Sequence, residues 1–362
     1  MVVKIKDKNL YYVGGVVRDE ILGIPSFDID FCYEGNAIEF ARSLNVIKTN
    51  PDFGTVRVKY EDEEIDIAST RKEFYPKVGH LPVVNEIGCS LKEDLKRRDF
   101  TINAMAKNTL NGDVIDYFNG LDDLKNKKLR VLHDKSFIED PSRIIRGLKF
   151  SVRFDFELDE YTRKLQDEYL NNINYDMSYH RIKKELKETF NLNNMKAYDI
   201  FIRQNIYKLL GQNQAPQAIS KRTQELISKY NIKESWLIYL GQFDLSNFEL
   251  THFEKMVLDE YCKLKNMNPK SDFEIYKMFD KKSIESIILY AISVDEYTAL
   301  KYLEKLSKIK LSINSEDLQN LGIKEGKIYR EIFDYLLEIK IIRNDLKKED
   351  ELNLVKEKFL CF

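Results

Sequence analysis

Tyr11-Tyr12-Val13-Gly14-Gly15-Val16-Val17-Arg18-Asp19, followed by Asp28-Ile29-Asp30-Phe31-Cys32-Tyr33, decides how the first part of this chain folds. The first run is apolar up to a Gly-Gly pair and then takes helical spacing over 16–22. It predicts a strand, a tight turn and a helix. A strand ending in glycines at a helix start is a phosphate-binding geometry. Without Cβ atoms the backbone N–H groups come close to oxygens, and the helix N-terminus adds partial positive charge. Arg18, one turn into the helix, can add a full charge. Taken alone, Gly14-Gly15 reads first as a turn that needs positive φ.

The second run predicts a strand over 28–33 in which acids alternate with apolar residues. Period-two geometry sends the carboxylates of Asp28 and Asp30 to one face. They repel unless a cation lies between them, and paired hard oxygens suit Mg²⁺. In isolation an Asp-x-Asp is two exposed acids on an edge strand; beside a phosphate loop the metal reading is the stronger. In Glu64-Ile65-Asp66-Ile67 the isoleucines face one way and the acids the other. Asp66 completes the metal site if this strand lies beside Asp28–Asp30, and is otherwise an exposed strand acid. A phosphate loop with metal-binding carboxylates implies two-metal phosphoryl or nucleotidyl transfer. The sequence holds no G-x-x-x-x-G-K-[ST] loop and no protein-kinase signature set.

Outward from this stretch, period-two runs at 55–60 and 64–69 predict further strands. Helical spacing is read over 16–22, 37–44 and 91–106. Strands and helices mix over the first 130 residues, and from Asp140 onward the pattern is helical almost throughout, as in Ile144, Ile145, Leu148 and Val152. The expected fold class is α+β: an N-terminal mixed sheet with flanking helices, then an all-α region. Arg71 to Glu86 carries Pro and Gly and reads as a loop. At 362 residues, two to three domains are expected. With 58 Lys+Arg against 60 Asp+Glu the net charge is −2, which excludes a uniformly basic nucleic-acid coat protein but not a local basic groove. The four cysteines form no C-x-x-C pair, so neither a zinc site nor a disulfide framework is suggested. Met1 to Leu10 has no apolar core of a signal peptide, and no apolar stretch approaches the ~18 residues of a membrane span. A cytoplasmic protein with no membrane partner is the expectation.

Three more runs follow: Arg97-Arg98-Asp99-Phe100-Thr101-Ile102-Asn103-Ala104-Met105-Ala106; Asp116-Tyr117-Phe118-Asn119-Gly120 with Asp123-Leu124; and Glu139-Asp140-Pro141-Ser142-Arg143 with Arg146. With the G-G-x-V-R-D…D-x-D run, they stand in the order and spacing of the class II tRNA nucleotidyltransferase family, the CCA-adding enzymes and bacterial poly(A) polymerases, which this sequence resembles over about residues 10–190. A weaker echo lies in Ser178-Tyr179-His180-Arg181-Ile182-Lys183-Lys184-Glu185-Leu186.

The resemblance implies a palm-like nucleotidyltransferase head at 1–130, a helical neck with a base-recognition helix at 131–190, a helical body at 191–265 and a helical, RNA-binding tail at 266–362. It implies Mg²⁺ at Asp28 and Asp30, triphosphate contacts from Gly14, Gly15 and Arg18, and nucleotide contacts from Arg97, Arg98 and Asp99. It implies base reading by Asp140 and Arg143, with Arg146 nearby, and tRNA, CTP and ATP as substrates. A carboxylate accepts from an exocyclic amino group while Arg donates to a neighbouring ring acceptor. Cytosine and adenine offer that pattern; uracil and guanine present a carbonyl instead. By helical counting, Arg143 and Arg146 fall at about 300° and 240° from Asp140, opposite an apolar face at about 40–140°. Asp140-Pro141 also reads as an N-cap followed by Pro at the first helical position.

In the family, the Arg71–Glu86 region is a mobile element that helps the site switch from C to A. The stretch 50–58 lacks the basic run expected of the poly(A) polymerase branch, which favours tRNA. Lys183-Lys184, Lys221-Arg222, Lys308 with Lys310, Lys340 with Arg343, and Lys347-Lys348 are candidate phosphate contacts, each singly reading as a solvated helix face.

Overall fold

The computed structural model describes residues 5–26, 29–216 and 218–360. The chain packs as two compact units: residues 1–215 with 244–249, and residues 216–243 with 250–362.

The first unit begins with β1 (Leu10–Val13), α1 (Gly15–Leu22), β2 (Phe31–Tyr33), α2 (Ala37–Phe40), β3 (Asn45–Asn50), β4 (Thr55–Tyr60), β5 (Glu63–Ser69), β6 (Arg71–Phe74), β7 (Val83–Ile87), α3 (Leu91–Lys96), β8 (Met105–Asn108), β9 (Val114–Asp116) and α4 (Gly120–Lys125). Seven strands form one mixed sheet in the order β3-β4-β5-β2-β1-β8-β9. Only β2 and β5 run parallel within it; every other neighbouring pair is antiparallel. Alternation along the central strands buries both faces. Leu10, Phe31, Val56, Val58, Ile65 and Ile67 pack with Ala37 and Ala41 on one side. Tyr11, Val13 and Cys32 pack with Leu91, Leu95, Ala104 and Ala106 on the other.

The helices of this unit continue after β10 (Lys128–Leu129): α5 (Ser136–Glu139), α6 (Ser142–Phe154), β11 (Glu157–Leu158), α7 (Glu160–Asn171), α8 (Tyr179–Phe190) and α9 (Met195–Arg203). Ile144, Ile145 and Leu148 of α6 are buried, as their spacing predicts. The second unit is helical: α10 (Thr223–Lys229), α11 (Ser235–Leu240), α12 (His252–Leu264), α13 (Asp272–Phe279), α14 (Ile284–Ser293), α15 (Glu296–Glu304), α16 (Ser315–Asn320), α17 (Lys327–Ile342) and α18 (Lys348–Val355). Every residue of α11 is buried, Trp236 and Tyr239 completely. No helix of the described residues is long and apolar enough to cross a membrane.

Several local expectations are corrected. The helix expected over 91–106 stops at Lys96. Asp99 Oδ1 accepts the amide of Phe100 (2.7 Å), a local bond that competes with helix. Phe100 then bridges to Val131, and Met105 opens β8. The loop expected over 71–86 holds an antiparallel hairpin, β6 with β7. Ion pairs support it, among them Lys72 to Glu86 (2.7 Å), so it lacks the apolar alternation that announces a strand. β3 went unread because all six of its residues are exposed. The strand expected over 28–33 is β2 alone among the described residues; Asp28 lies outside them.

Candidate active site

β1 delivers the chain to Gly14, which sits at φ +72° and N-caps α1. A Cβ there would stand 2.9 Å from Arg98 Nη1. The backbone conformation is what demands glycine; the Arg98 guanidinium is the end of a flexible side chain that can shift. Gly14→Ala is expected to cost about 1–2 kcal/mol, read as a lower denaturant midpoint at unchanged m.

Gly14 and Gly15 border a cavity of about 750 Å³ in the first unit. Its walls include Arg18, Asp30, Arg97, Arg98, Asp99, Asp140, Arg143 and Arg146, so the structure brings every described residue expected at the catalytic and nucleotide site, except Asp66, to one cavity. Arg18 is buried: Nε donates to Asp19 (2.8 Å), Nη1 donates to Asn103 (2.6 Å), and its guanidinium lies 4.5 Å from the Phe154 ring centroid. Burial pulls the Arg18 pKa down, against the opposing charge of Asp19. The buried Asp94 on α3 anchors the next two arginines, at 2.8 Å from Arg97 and 3.2 Å from Arg98. Burial would raise the Asp94 carboxyl, but Arg98 and Arg97 hold it below its usual range. Arg98 Nε is buried with no partner among the described residues, a donor available to an anion beside Gly14.

Asp99 joins the sheet unit to the neck helix. Arg146 Nε and Nη2 donate to its Oδ2 at 2.7 and 2.6 Å, and Asn103 donates to Oδ1 (3.0 Å). Burial alone would raise the Asp99 carboxyl; the Arg146 charge and these hydrogen bonds hold it at about 2. Arg146 also donates to Glu185 on α8 (3.2 Å), which Lys149 holds at 2.7 Å.

At the start of α6, Asp140 does two things. Its Oδ1 accepts the Ser142 amide (3.1 Å) and hydroxyl just ahead of the helix, whose cap position is taken by Pro141 rather than by Asp140 as expected, and its Oδ2 is paired with Arg181 of α8. Arg143 is buried, donating to Ser136 Oγ (2.8 Å), the Arg97 carbonyl (2.9 Å) and Tyr75 Oη (3.3 Å). Arg143 and Arg146 face the cavity while Ile144 and Ile145 are buried, the split that helical counting predicts. His133 is held neutral: burial and then the Arg143 charge lower its pKa to about 4.

The β6–β7 hairpin reaches the same cavity. Glu73 Oε1 accepts from Arg71 (2.7 Å) and Arg97 (3.2 Å). At the tip, the Gly79 amide donates to the Glu139 carbonyl (3.1 Å) and its carbonyl accepts from Ser178 (2.9 Å), tying the hairpin to α5 and α8. Arg181, Lys149 and Glu185 were not assigned a role from sequence. The echo at Ser178–Leu186 was the one available signal for Arg181 and Glu185, and Lys149 stood inside the helical pattern of α6.

Asp30 is exposed just before β2; its carbonyl accepts the Val13 amide (3.1 Å). Besides the first cavity it lines a second of about 510 Å³, together with Asp66. Asp66 and Asp30 are the two carboxylates of that second cavity. Asp66 accepts from Arg57 at 2.8 and 2.7 Å, directly across the β4–β5 register, and this pairing lowers its pKa. Cys32 also lines it, but burial drives its thiol pKa far up, so it offers no thiolate. The donors present are hard oxygens, which fits Mg²⁺ rather than a soft metal. Among the described residues no group of three or more His, Cys, Asp or Glu is poised for a metal.

Comparison with known proteins places this arrangement. Residues 10–130 match the poly A polymerase head domain. The A-adding tRNA nucleotidyltransferase of Halalkalibacterium halodurans is 30% identical over 97% of this chain and 89% of the relative. That of Aquifex aeolicus is 35% identical over 91% of this chain and 44% of the relative, so the chain spans under half the length of that protein. The solved Thermotoga maritima CCA-adding enzyme complexed with tRNA superposes with a TM-score of 0.72 at 28% identity, covering 96% of this chain and 90% of that one. With a relative matched almost end to end and a cavity built from the expected motifs, the chain belongs to the tRNA nucleotidyltransferase family and carries its poly A polymerase head domain.

Proposed function

We propose that this protein adds C and/or A to tRNA 3′ ends from CTP and ATP, without a nucleic-acid template and with Mg²⁺, in the cytoplasm. One observation carries the reading: a buried Asp140–Arg143 pair lines the same cavity as the Gly14-Gly15 turn and Asp30. The base lies against Asp140 and Arg143, the triphosphate against Gly14, Gly15, Arg18 and Arg98, and the sugar side against Arg97 and Asp99. Asp28 and Asp30 hold the metals, and Asp66 is the third carboxylate. Its bond to Arg57 is exposed and screened by solvent, so it yields readily to a cation. Magnesium supplies a lowered pKa at the attacking hydroxyl and charge neutralisation on the departing pyrophosphate. The RNA 3′-oxygen bonds to the α-phosphorus and the bond to the β-phosphate oxygen breaks.

Head, neck, body and tail at 1–130, 131–190, 191–265 and 266–362 are the proposed divisions, with the tail holding RNA. Within the basic clusters, Lys340 is excluded as a phosphate contact, because it is buried against Glu351 and donates to Ser312 Oγ (3.0 Å). Arg222 is engaged by Glu225 and Glu296.

Three tRNA transcripts test the reading, ending before CCA, after one C and after CC, each offered CTP, ATP or both with Mg²⁺. Completion of all three marks a CCA-adding enzyme. Addition of A to the CC-ending transcript alone marks an A-adding one, and addition of CC alone a CC-adding one. ATP tailing of RNAs regardless of tRNA shape overturns the tRNA reading in favour of a polyadenylating relative.

A further inference from the structure

α6 presents Arg143 and Arg146 to the first cavity, but its far end borders a different one. This cavity, about 710 Å³, is walled by the β10–β11 pair, the end of α6, α7 and α9. It shares no residue with the candidate active site. Two guanidiniums converge on it, Arg163 of α7 and Arg203 of α9. Among the described residues neither side chain has a hydrogen bond or ion pair. Burial lowers the Arg163 pKa against the opposing charge of Asp167, the Arg203 charge lowers it further, and Glu157 opposes it least. The carboxylates on the cavity wall are already engaged, Asp155 by Lys196 and Glu157 by Lys128 (3.5 Å).

A second observation points the same way. Ser151 lines this cavity, is 7% exposed, and its hydroxyl has no hydrogen-bond partner among the described residues. A helical serine ordinarily back-bonds to the preceding turn. The hydroxyl of a nine-tenths buried serine, open to the cavity beside two arginines that make no ion pair, is a donor set for a phosphoryl group. The volume is that of a small-molecule site.

We propose that this cavity is a second anion site, binding a small phosphorylated molecule through Arg163, Arg203 and Ser151. Its enclosure by four elements favours a compact phosphate ester or polyphosphate over an extended RNA strand.

Equilibrium dialysis with radiolabelled inorganic pyrophosphate tests this on the full chain. The Arg163→Gln/Arg203→Gln variant is expected to bind one pyrophosphate fewer per chain than the parent. Arg163→Lys/Arg203→Lys, which keeps both charges, is expected to retain that equivalent with affinity reduced no more than about tenfold. Equal stoichiometry in the parent and the glutamine variant overturns the proposal. So does a glutamine variant whose pyrophosphate stoichiometry is unchanged while its tRNA affinity falls tenfold, which assigns the surface to RNA. Loss in both variants with a lowered unfolding midpoint also overturns it, as a structural role alone.

Discussion

Replacing Asp28 and Asp30 together by alanine is expected to lower nucleotide incorporation by about a thousandfold or more, with tRNA binding within about threefold of the parent. The activity loss follows from charge. The reaction gathers a triphosphate and a developing oxyanion in a cavity whose own cations are largely spoken for: Arg18 by Asp19, Arg97 by Asp94 and Glu73, Arg146 by Asp99. Guanidiniums paired in this way have little net charge to spare for a transition state. In the proposed reading, divalent cations at Asp28 and Asp30 supply it. In the proposed reading RNA is held by phosphate contacts, which do not pass through these carboxylates. Incorporation is read by gel extension of a tRNA transcript and binding by filter retention. Activity surviving in the double variant sinks the metal assignment; equal loss of both would mean that the head no longer folds.

Arg146→Ala should destabilise the first unit by about 3–5 kcal/mol, a fall of roughly 10 °C in its unfolding temperature. Asp99 is 7% exposed and would be left as an uncompensated buried charge. Glu185 suffers less, because Lys149 remains on it. Asp99→Asn/Arg146→Met removes both charges and should recover most of the loss. The same pair sets an acid limit. Asp99 titrates from about 2 in the folded chain against an ordinary 3.8. Its carboxyl is depressed, so its contribution is complete above pH ~4 and is lost as pH falls towards 2. The difference is worth about 2 kcal/mol. In Asp99→Asn this segment of the pH profile should flatten.

Much of the site was legible because its parts are residue types with few other uses. Gly14 must be glycine, Asp140 must precede Pro141 at a helix start, and Arg143 and Arg146 must leave the apolar stripe of α6. The sheet was legible where one face is apolar, as in β4 and β5. It was not legible in β3, exposed throughout, or in the β6–β7 hairpin, which is held by Lys72–Glu86 and by glutamates on arginines. Helical propensity carried the reading past Lys96 because the bond from the Phe100 amide to the Asp99 carboxylate is a local competitor that no periodicity reports. Arg181 escaped assignment because its partner, Asp140, is 41 residues away and the chain between them carries no sign of the pairing.

Trp236 is the one tryptophan of the chain, and it is fully buried in the second unit with its indole nitrogen donating to Glu234 (2.8 Å). Selective excitation of its fluorescence therefore reports from a side chain that belongs to the second unit. The acid transition of Asp99 and the collapse caused by Arg146→Ala occur in a unit without that chromophore. Indole emission followed beside far-ultraviolet ellipticity thus gives the second unit a probe of its own against the melting of the whole chain, with no label attached.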